Sequence, residues 1–345
     1  MSATETTSTG TTVTQQLSFM ARHSIALSLA VFLLAALLLP WVGAGPISFA
    51  RVLRHQAPDY EILLQLRLSR TLLALVAGGA LSLAGTLFQA MLRDALATPY
   101  TLGISAGASL GAVAVIAIGW ETFLGIPMTW IGALAGAFGV LVLVIGGAFR
   151  QRQVSAFSLL LTGIAINSIC AAFIIILSSF AGMSRSFSIV RWLIGSIDAT
   201  SYVSLAVLSI VVLLVSAIIF SQARSWNLLA VGERWAASRG VRVGTLLVQG
   251  YILGSILVAG AIALTGPIGF VGLIVPHLVR SRISPDHRLL MPCAFLLGGT
   301  LLALCDAIGR VVIRPAELPA GAALALIGGP YLVWIIRQRT PTEEI

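Results

Sequence analysis

No lysine occurs anywhere in the sequence, and all 21 of its basic residues are arginine. A Walker A nucleotide-binding loop needs a lysine on the phosphates, and Schiff-base catalysis needs a lysine amine. The missing lysine therefore excludes both kinds of site. If ATP drives this protein, a different chain must bind the nucleotide.

Charged residues of either sign are also scarce, at 10% of the chain. Apolar residues fill 58% of the 345 positions, about 200 in all, which is enough for as many as about ten membrane spans of roughly 20 residues each. The mean hydropathy of +1.01 lies far from that of soluble domains. Composition therefore excludes a soluble enzyme, a disordered chain and a disulfide scaffold. It predicts an all-α polytopic membrane protein.

Cysteine and histidine are few, with three and four residues respectively. Cys170, Cys293 and Cys305 lie inside apolar runs and lack the C-x-x-C spacing of a metal or redox site, which is typical of buried thiols. The histidines form no cluster with them, and the carboxylates are peripheral to the apolar runs. The sequence therefore predicts no metal site, no cofactor and no catalytic residue.

Apolar runs bounded by arginine, proline or polar turns predict about ten transmembrane helices. They lie near residues 24–42, 71–91, 101–119, 128–148, 157–180, 203–221, 245–265, 267–280, 289–306 and 319–336. The eighth run is short and begins at Gly266-Pro267, so it is expected to be a half-helix or to pack against protein.

The distribution of arginine predicts the orientation of these spans. Thirteen of the 21 arginines fall on the side of the chain termini and eight on the other, which favours both termini in the cytoplasm. The Thr- and Ser-rich residues 1–22 are predicted to be a disordered cytoplasmic tail. Residues 23–338 are then the ten-helix transmembrane domain, and 339–345 a short cytoplasmic tail.

Small residues recur at a spacing of four inside several predicted spans. The glycines concerned are Gly103, Gly107 and Gly111, then Gly132 and Gly136, then Gly250 and Gly254. Small residues at this spacing leave a smooth stripe on one helix face and allow two backbones to approach closely. We therefore predict tight helix packing at these glycines.

The longest polar stretch between predicted spans is residues 222–242, named here the linker segment. It contains four arginines and Glu233, with a short helical pattern that ends at Gly240. One interpretation is a solvated amphipathic linker on the bilayer surface. The other is a short cytoplasmic helix that docks into a partner protein, and the residues alone leave both open.

Polar residues inside the predicted spans are few, and the main ones are Gln89, Asn167, Gln249 and Asp306. An intramembrane amide either marks a transport pathway or bonds across helices, and for Asn167 and Gln249 the structural role is favoured. Asp306 precedes Arg310 by four residues, which predicts an i,i+4 ion pair near the outer interface. The lack of carboxylates at mid-membrane argues against a secondary carrier.

Two long segments resemble the FecCD-type permeases. The first runs from Arg67 to Ala112 and begins RLSRTLLALVAGGALSLAG; the second is GPIGFVGLIVPHLVR at 266–280, followed by DHR at 286–288 and AELPAG at 316–321. These permeases are the membrane subunits of ABC importers for ferric siderophores, haem and cobalamin. The resemblance covers about residues 24–338.

The resemblance implies a permease in the inner membrane with ten spans and both termini in the cytoplasm. It implies two permease copies, identical or paralogous, around a central pathway, with two ATPase subunits below and a periplasmic binding protein above. ATP hydrolysis would then belong to another subunit, and this chain would not be an enzyme. Ferric siderophores are the expected cargo, with haem and cobalamin as alternatives; an ATP-independent secondary carrier is the competing class.

The resemblance also implies roles for individual residues. In related permeases, the positions that match Arg67, Arg70 and Arg310 receive acidic residues of the binding protein. The family's segment that couples the permease to the ATPase matches residues 228–240. Its candidate coupling residues are Leu228, Leu229, Gly232, Glu233, Ala237 and Gly240, with Gly232 expected to allow the turn and Leu228, Leu229 and Ala237 to supply apolar contacts.

The family's cytoplasmic gate matches the segment 93–99. The candidate residues of the gate and the cargo pathway are Gln89, Arg93, Asp94, Leu96, Pro99 and Asn167. Where the family has N-P-L-A-[DE]-P, this chain reads DALATP at 94–99, so the first proline and the acidic residue are absent. This departure concerns the detailed geometry of the gate rather than the resemblance as a whole.

Overall fold

The structure is a computed structural model that describes residues 7–43, 45–123, 126–150, 155–313 and 316–338. It is almost entirely helical. Over these residues the only strands are β1 (Thr122–Phe123) and β2 (Ile126–Pro127), which pair antiparallel in a small hairpin. The predicted all-α class is confirmed.

The helices follow one another in a simple order along the chain. The first group is α1 (Thr7–Leu38), a 3-10 turn (Leu39–Trp41), α2 (Phe49–Leu53), α3 (Asp59–Glu61), a π-helical segment (Ile62–Leu68) and α4 (Ser69–Leu92). The second group is α5 (Ile104–Ile118), α6 (Met128–Arg150), α7 (Ala156–Phe180), α8 (Gly182–Ile194) and α9 (Tyr202–Ser221). The third group is α10 (Ala223–Val231), α11 (Glu233–Ser238), α12 (Val243–Thr265), α13 (Val271–Arg282), α14 (His287–Val312) and α15 (Ala320–Gln338).

Seven of the described helical stretches are long and apolar enough to cross a membrane. They are His23–Trp41, Asp59–Leu92, Met128–Gly147, Ala156–Phe180, Tyr202–Ser221, Val243–Thr265 and His287–Val312. Ile104–Ile118 and Ala320–Trp334 are shorter apolar helices at the positions of the predicted third and tenth spans. The predicted eighth span is the 12-residue α13, whose residues from Val271 to Pro276 are buried, so the expectation of a short helix packed against protein is confirmed.

Two elements differ from the sequence prediction. Helix α1 begins at Thr7, inside the predicted disordered tail, because adding residues to an existing helix is far easier than starting a new one. Residues 1–6 and 339–345 of the predicted tails lie outside the described residues. The amphipathic helix α8 was not predicted, since its mixture of serine, arginine and apolar residues gives no continuous apolar run.

Helix α4 forms the centre of the bundle. Of its most apolar stretch, 89% is buried inside the chain, whereas only 17% of the corresponding stretch of α7 is buried. A helix that is apolar on every side must be enclosed by protein or by lipid. Helix α4 is therefore enclosed by its own chain, and α7 presents most of its surface to whatever surrounds the protein.

Local signals fix several helix ends. The side chains of Ser155 and Ser201 accept hydrogen bonds from the backbone N–H of Ser158 and Ser204, which caps the first turns of α7 and α9. Helix α5 ends at Gly119, whose φ of 83° is a left-handed conformation that favours glycine.

The predicted glycine stripes on α5 and α6 lie where these two helices pack against each other. A Cβ atom at Gly111 of α5 would lie 1.9 Å from the carbonyl oxygen of Gly132, and one at Gly136 of α6 would lie 2.1 Å from that of Gly107. Backbone carbonyls cannot move aside as a flexible side chain can. The α5–α6 interface therefore requires glycine at these positions, and the prediction of tight packing is confirmed.

Replacing Gly136 by valine is expected to separate α5 from α6 and to destabilise the protein by about 3 kcal/mol or more, since overpacked sites that cannot relax lie at the upper end of the usual range. The measurement is the yield and thermal midpoint of the purified protein in detergent. Gly139→Val is the matched control, because a Cβ at Gly139 of the same helix meets nothing within 4 Å. Equal midpoints for the two variants would contradict the packing argument.

Candidate functional site

The polar residues of the chain gather at the two ends of the helix bundle. The end with Arg67, Arg70 and Arg310 is named here the arginine end. The end with the linker segment is named the linker end. The site residues predicted from the sequence fall into these two groups, with Gln89 in the last turn of α4 near the linker end, whereas Asn167 lies in the middle of α7.

At the arginine end, α4 and α14 are joined by an ion-pair cluster. The Arg70 Nη2 and Nε atoms donate to Asp306 Oδ1 at 2.8 and 3.0 Å, and Arg70 Nη1 donates to Glu317 Oε2 at 2.6 Å. Asp306 Oδ2 also lies 3.3 Å from Arg310 Nε, so the predicted i,i+4 pair is confirmed. One carboxylate therefore serves two arginines.

This cluster is buried. Asp306 is 1% exposed and Arg310 4% exposed. Charges removed from water in this way are tolerated only when each has a well-placed counter-charge. The Arg310 Nη1 and Nη2 atoms have no hydrogen-bond partner among the described residues, so this guanidinium keeps unused donors.

Arg67 is also buried, and its contacts are to backbone. It lies in the π-helical segment, and its Nη2 and Nη1 atoms donate to the carbonyl oxygens of Gly45 at 2.6 Å and Trp41 at 3.3 Å. The same segment offers the Leu64 carbonyl to the Tyr202 hydroxyl of α9. Arg67 therefore fastens the chain after α1 to the bundle.

These positions change the docking prediction. Arg67 and Arg310 are buried, and Arg70 is directed at Asp306 and Glu317 rather than at open solvent. In the chain by itself these three guanidinium groups are therefore not freely exposed, and docking of a binding protein at them stays a prediction. The physical reason is that internal carboxylates and loop carbonyls satisfy them first.

At the linker end, α10 packs against the bundle through its apolar side. Trp226 and Leu229 are fully buried. The Trp226 ring packs so closely on Gly250 of α12 that a Cβ added at Gly250 would lie 2.6 Å from Trp226 Cη2. The expectation that Leu229 contacts a partner is therefore wrong, because this side chain is used inside the chain. Leu228 is partly buried.

The sequence prediction missed the exposed apolar residues of the linker segment. Val231 is 72% exposed and Trp235 is 48% exposed, with Arg239 stacked 4.5 Å from the centre of the Trp235 ring. The exposed Ala237 follows on α11. Helical periodicity could have predicted this exposure. Trp226 and Leu229 lie on one face of α10, so Val231 lies on the opposite face.

The two glycines of the linker segment have different roles. Gly232 has φ 162°, an extended conformation open to any residue, and a Cβ there would meet nothing within 4 Å. The turn between α10 and α11 therefore does not require glycine, contrary to the expectation. Gly240 has φ 82°, a left-handed conformation, and it ends the short helix as the sequence predicted.

The predicted gate directly contacts the linker segment. Arg93 ends α4 in a left-handed conformation, with φ 54°, and its Nη2 atom donates to Glu233 Oε1 at 3.3 Å. Both side chains remain partly exposed. The structure thus brings one predicted gate residue and one predicted coupling residue together.

The rest of the gate segment is a compact turn. Asp94 Oδ1 accepts a hydrogen bond from the Leu96 backbone N–H at 2.9 Å, a contact that the family's asparagine can make equally well. Leu96 is exposed, and Pro99 is buried with its Cδ close to Gly272 of α13. The departure from the family pattern at Asp94 therefore keeps the local turn.

A second contact joins the linker segment to α14 and was not predicted. Asn227 Nδ2 donates to Asp286 Oδ1 at 2.6 Å, and Asn227 Oδ1 accepts from the His287 backbone N–H at 2.8 Å. The Asp286 carboxylate also caps α14 by accepting from the Arg288 N–H at 2.9 Å. Burial alone would raise the pKa of Asp286, but these hydrogen bonds hold it below its ordinary value.

The polar residues within the bundle separate into two kinds. Gln89 is buried, donates to the Gly272 carbonyl at 3.2 Å and accepts from Arg280 Nη2 at 3.0 Å, so it joins α4 to α13 here. Its place beside the cargo pathway stays a prediction. Gln249 accepts from Gln222 at 3.4 Å, in line with a structural amide. Asn167 is exposed on α7, so its placement beside the cargo pathway stays a prediction.

A groove of about 1010 Å³ runs between α6, α9 and α12. Its described lining is apolar apart from a few hydroxyls such as those of Thr200, Ser204 and Ser255, and contains no ionisable side chain. A groove of this composition matches a hydrocarbon surrounding and offers no charge to an ionic ligand.

Comparison with known proteins places these features in a family. The profile of the FecCD transport family matches residues 28–338. The hemin transport system permease HmuU of Yersinia pestis is 38% identical over 86% of this chain and 90% of its own. The Fe(3+) dicitrate permease FecC of Escherichia coli is 35% identical over 86% of this chain and 91% of its own. A solved metal-chelate type ABC transporter in an inward-facing conformation has a TM-score of 0.80 at 29% identity, covering 92% of this chain and 99% of its own.

Proposed function

Because the chain belongs to the FecCD transport family and is an inner-membrane ABC importer permease for metal-chelate cargo, we propose that it moves a ferric siderophore into the cytoplasm. The observation that carries this proposal is the family match, which spans nearly the whole transmembrane domain. Haem is the second candidate, favoured by the 38% identity to a hemin permease. Cobalamin is a further alternative within the family.

The proposed partners follow from surfaces that the chain leaves open. A second permease, identical or paralogous, is proposed to cover part of α7, whose exposed face includes Asn167. Two ATPase subunits are proposed to bind the linker segment at Val231, Trp235 and Ala237, which are exposed. ATP hydrolysis is assigned to those subunits, since this chain has no lysine for a Walker A loop.

A periplasmic binding protein is proposed to dock at the arginine end. Because Arg67 and Arg310 are buried, direct pairing with its acidic residues requires that the loops after α1 and after α14 move aside first. The unused Arg310 donors support this form of the proposal, because a carboxylate that reached them would complete their hydrogen bonding. Until then Arg67 holds the loop after α1 through Trp41 and Gly45, and Arg70 holds the loop after α14 through Glu317.

The orientation and the domain limits are part of the same proposal. Both termini are assigned to the cytoplasm, which places the linker end inside and the arginine end outside, supported by the excess of arginine on the terminal side. The permease domain is taken as residues 23–338, with the coupling segment at 222–242. The tails 1–22 and 339–345 stay outside it.

The proposal is tested by uptake into proteoliposomes that contain the permease with its ATPase subunits and its binding protein. We expect ATP-dependent accumulation of a radioiron-labelled hydroxamate siderophore in preference to hemin or cyanocobalamin. Preference for hemin would establish the second candidate. Accumulation driven by a proton gradient, without the ATPase subunits and without ATP, would instead show a secondary carrier and overturn the proposed function.

A further inference from the structure

Helices α4 and α14 form a single rigid pair. A Cβ at Gly78 would lie 2.5 Å from the carbonyl oxygen of Gly298, and a Cβ at Gly299 would lie 2.3 Å from that of Leu75. Backbone packed this closely allows neither sliding nor separation without loss of the whole interface. A displacement of one helix therefore displaces the other.

The pair is tied at the arginine end by the charges already described. Arg70 extends from the first turn of α4, and Asp306 extends from the last two turns of α14. Their contact at 2.8 Å is buried, so it is screened little by water or salt. The rigid pair thus reaches from one end of the bundle to the other and includes the residues of the proposed docking end.

The linker segment is bonded to both members of this pair at the opposite end. Glu233 contacts Arg93, which ends α4, and Asn227 contacts Asp286 and His287, which begin α14. The Arg93–Glu233 ion pair is long, at 3.3 Å, and partly exposed, so solvent weakens it. The Asn227 amide is less exposed and lies 2.6 Å from an ionised carboxylate, which makes it the stronger attachment.

We propose that Asn227 is a positioning residue for transport: it transmits movement of the linker segment to α14, and through the α4–α14 pair to the arginine end. The inference rests on the proposed function, because it assumes that an ATPase subunit moves the linker segment. Asn227 itself is not assigned to any contact with cargo or ATPase. Its role is to make the linker segment and the two central helices one mechanical unit.

The test is a reciprocal exchange of side chains. Asn227→Asp removes the amide donor and places a second carboxylate against Asp286, so the attachment is replaced by repulsion. The double variant Asn227→Asp/Asp286→Asn removes the repulsion and restores one donor and one acceptor in reversed order. Because Asp286 Oδ1 accepts from both the Asn227 amide and the Arg288 N–H, the new amide at position 286 must turn so that its nitrogen donates to residue 227 while its oxygen caps α14. Gln222→Glu is the matched control, because it makes the same chemical change in the same segment at a contact with Gln249 of α12.

The readout is the amount of radioiron siderophore, or of hemin if that is the cargo, moved per ATP hydrolysed in proteoliposomes containing the full complex. We expect Asn227→Asp to lower this ratio about tenfold, the loss that corresponds to a hydrogen bond with a charged group. The double variant should recover most of the wild-type ratio of cargo moved to ATP hydrolysed, and Gln222→Glu should keep that ratio unchanged. The amount of assembled complex and its thermal midpoint are measured alongside, since a merely structural role would change these and not the ratio.

Each result decides the proposal. A wild-type ratio in Asn227→Asp overturns the proposal. A double variant that is as uncoupled as the single variant also overturns it, because coupling would then not depend on the hydrogen bond between positions 227 and 286. If Asn227→Asp fails to assemble, the double variant still decides: it must both assemble and couple. A wild-type complex that transports no probe would refute the proposed function, whereas the other failures leave that function standing.

Discussion

Replacing Asp306 by alanine is expected to remove about 3–5 kcal/mol of stability, which is enough to prevent recovery of folded permease, because it leaves the buried Arg310 without a counter-charge and Arg70 with Glu317 alone. Arg70 would lose its two contacts to Oδ1, and Arg310 would lose its ion pair at 3.3 Å. Arg310 is 4% exposed and cannot turn to water to compensate. The measurement is the fraction of monodisperse protein in detergent and its thermal midpoint.

Glu317→Ala is the matched control for this prediction. Glu317 contacts the same Arg70 at 2.6 Å, but 46% of its side chain is exposed, so water can replace the lost contact. Its removal should cost less than about 1 kcal/mol. If Asp306→Ala is no less stable than Glu317→Ala, the buried cluster does not hold α4 and α14 together.

Replacing Trp235 by alanine is expected to weaken binding of the ATPase subunit by about 30-fold or more, because a large exposed aromatic at the centre of an interface commonly contributes at least about 2 kcal/mol. Its ring and Val231 are the exposed apolar groups of the linker segment. The measurement is the affinity of the purified permease in nanodiscs for its ATPase subunit, which the wild type should bind.

Ala237→Ser serves as the control because it alters an exposed residue of the same short helix with little change in surface. It should bind like the wild type. Trp235 faces outward, so its removal should leave the thermal midpoint of the permease unchanged, which separates an interface effect from misfolding. Unchanged affinity in Trp235→Ala would mean that the ATPase subunit binds elsewhere.

Contacts between residues close in the sequence could be predicted, and contacts between distant ones could not. The Asp306–Arg310 pair follows from the spacing of four, and the glycine stripes follow from helical periodicity. The pairing of Arg70 with Asp306 depends on how α4 and α14 pack, which no local pattern specifies. For the same reason the sequence identified Glu233 and Arg93 separately but not as partners.

The positions of the three arginines show that an unusual charge pattern has more than one explanation. Arginine on the outer side of a membrane protein opposes the insertion signal, so it calls for another use. Arg67 is buried and donates to carbonyl groups of Trp41 and Gly45, whereas Asp306 pairs with Arg70 and with Arg310, which keeps unused donors. A charge that is anomalous for topology can therefore be used in large part by the fold itself.

In the linker segment, the prediction of which residues are buried was limited by the uncertain phase of a short helix. Nine residues in α10 make two and a half turns, and a small error in the starting point exchanges the inner and outer faces. Leu229 and Val231 are both apolar, so composition did not show which of them faces inward. Trp226 determines the phase, because its ring is fully buried.

The largely uncovered α7 has a consequence for the life of the subunit before it meets its partners. In water, a helix with so little of its surface covered would drive immediate aggregation, but lipid chains are as apolar as the side chains that they touch. An unassembled copy is therefore well solvated by the bilayer, and the hydrophobic effect provides no driving force for pairing. Pairing through α7, as proposed above, would then depend on shape and on the few polar groups, such as Asn167, that lipid cannot satisfy. A delay between synthesis of this subunit and its assembly would therefore carry no hydrophobic penalty.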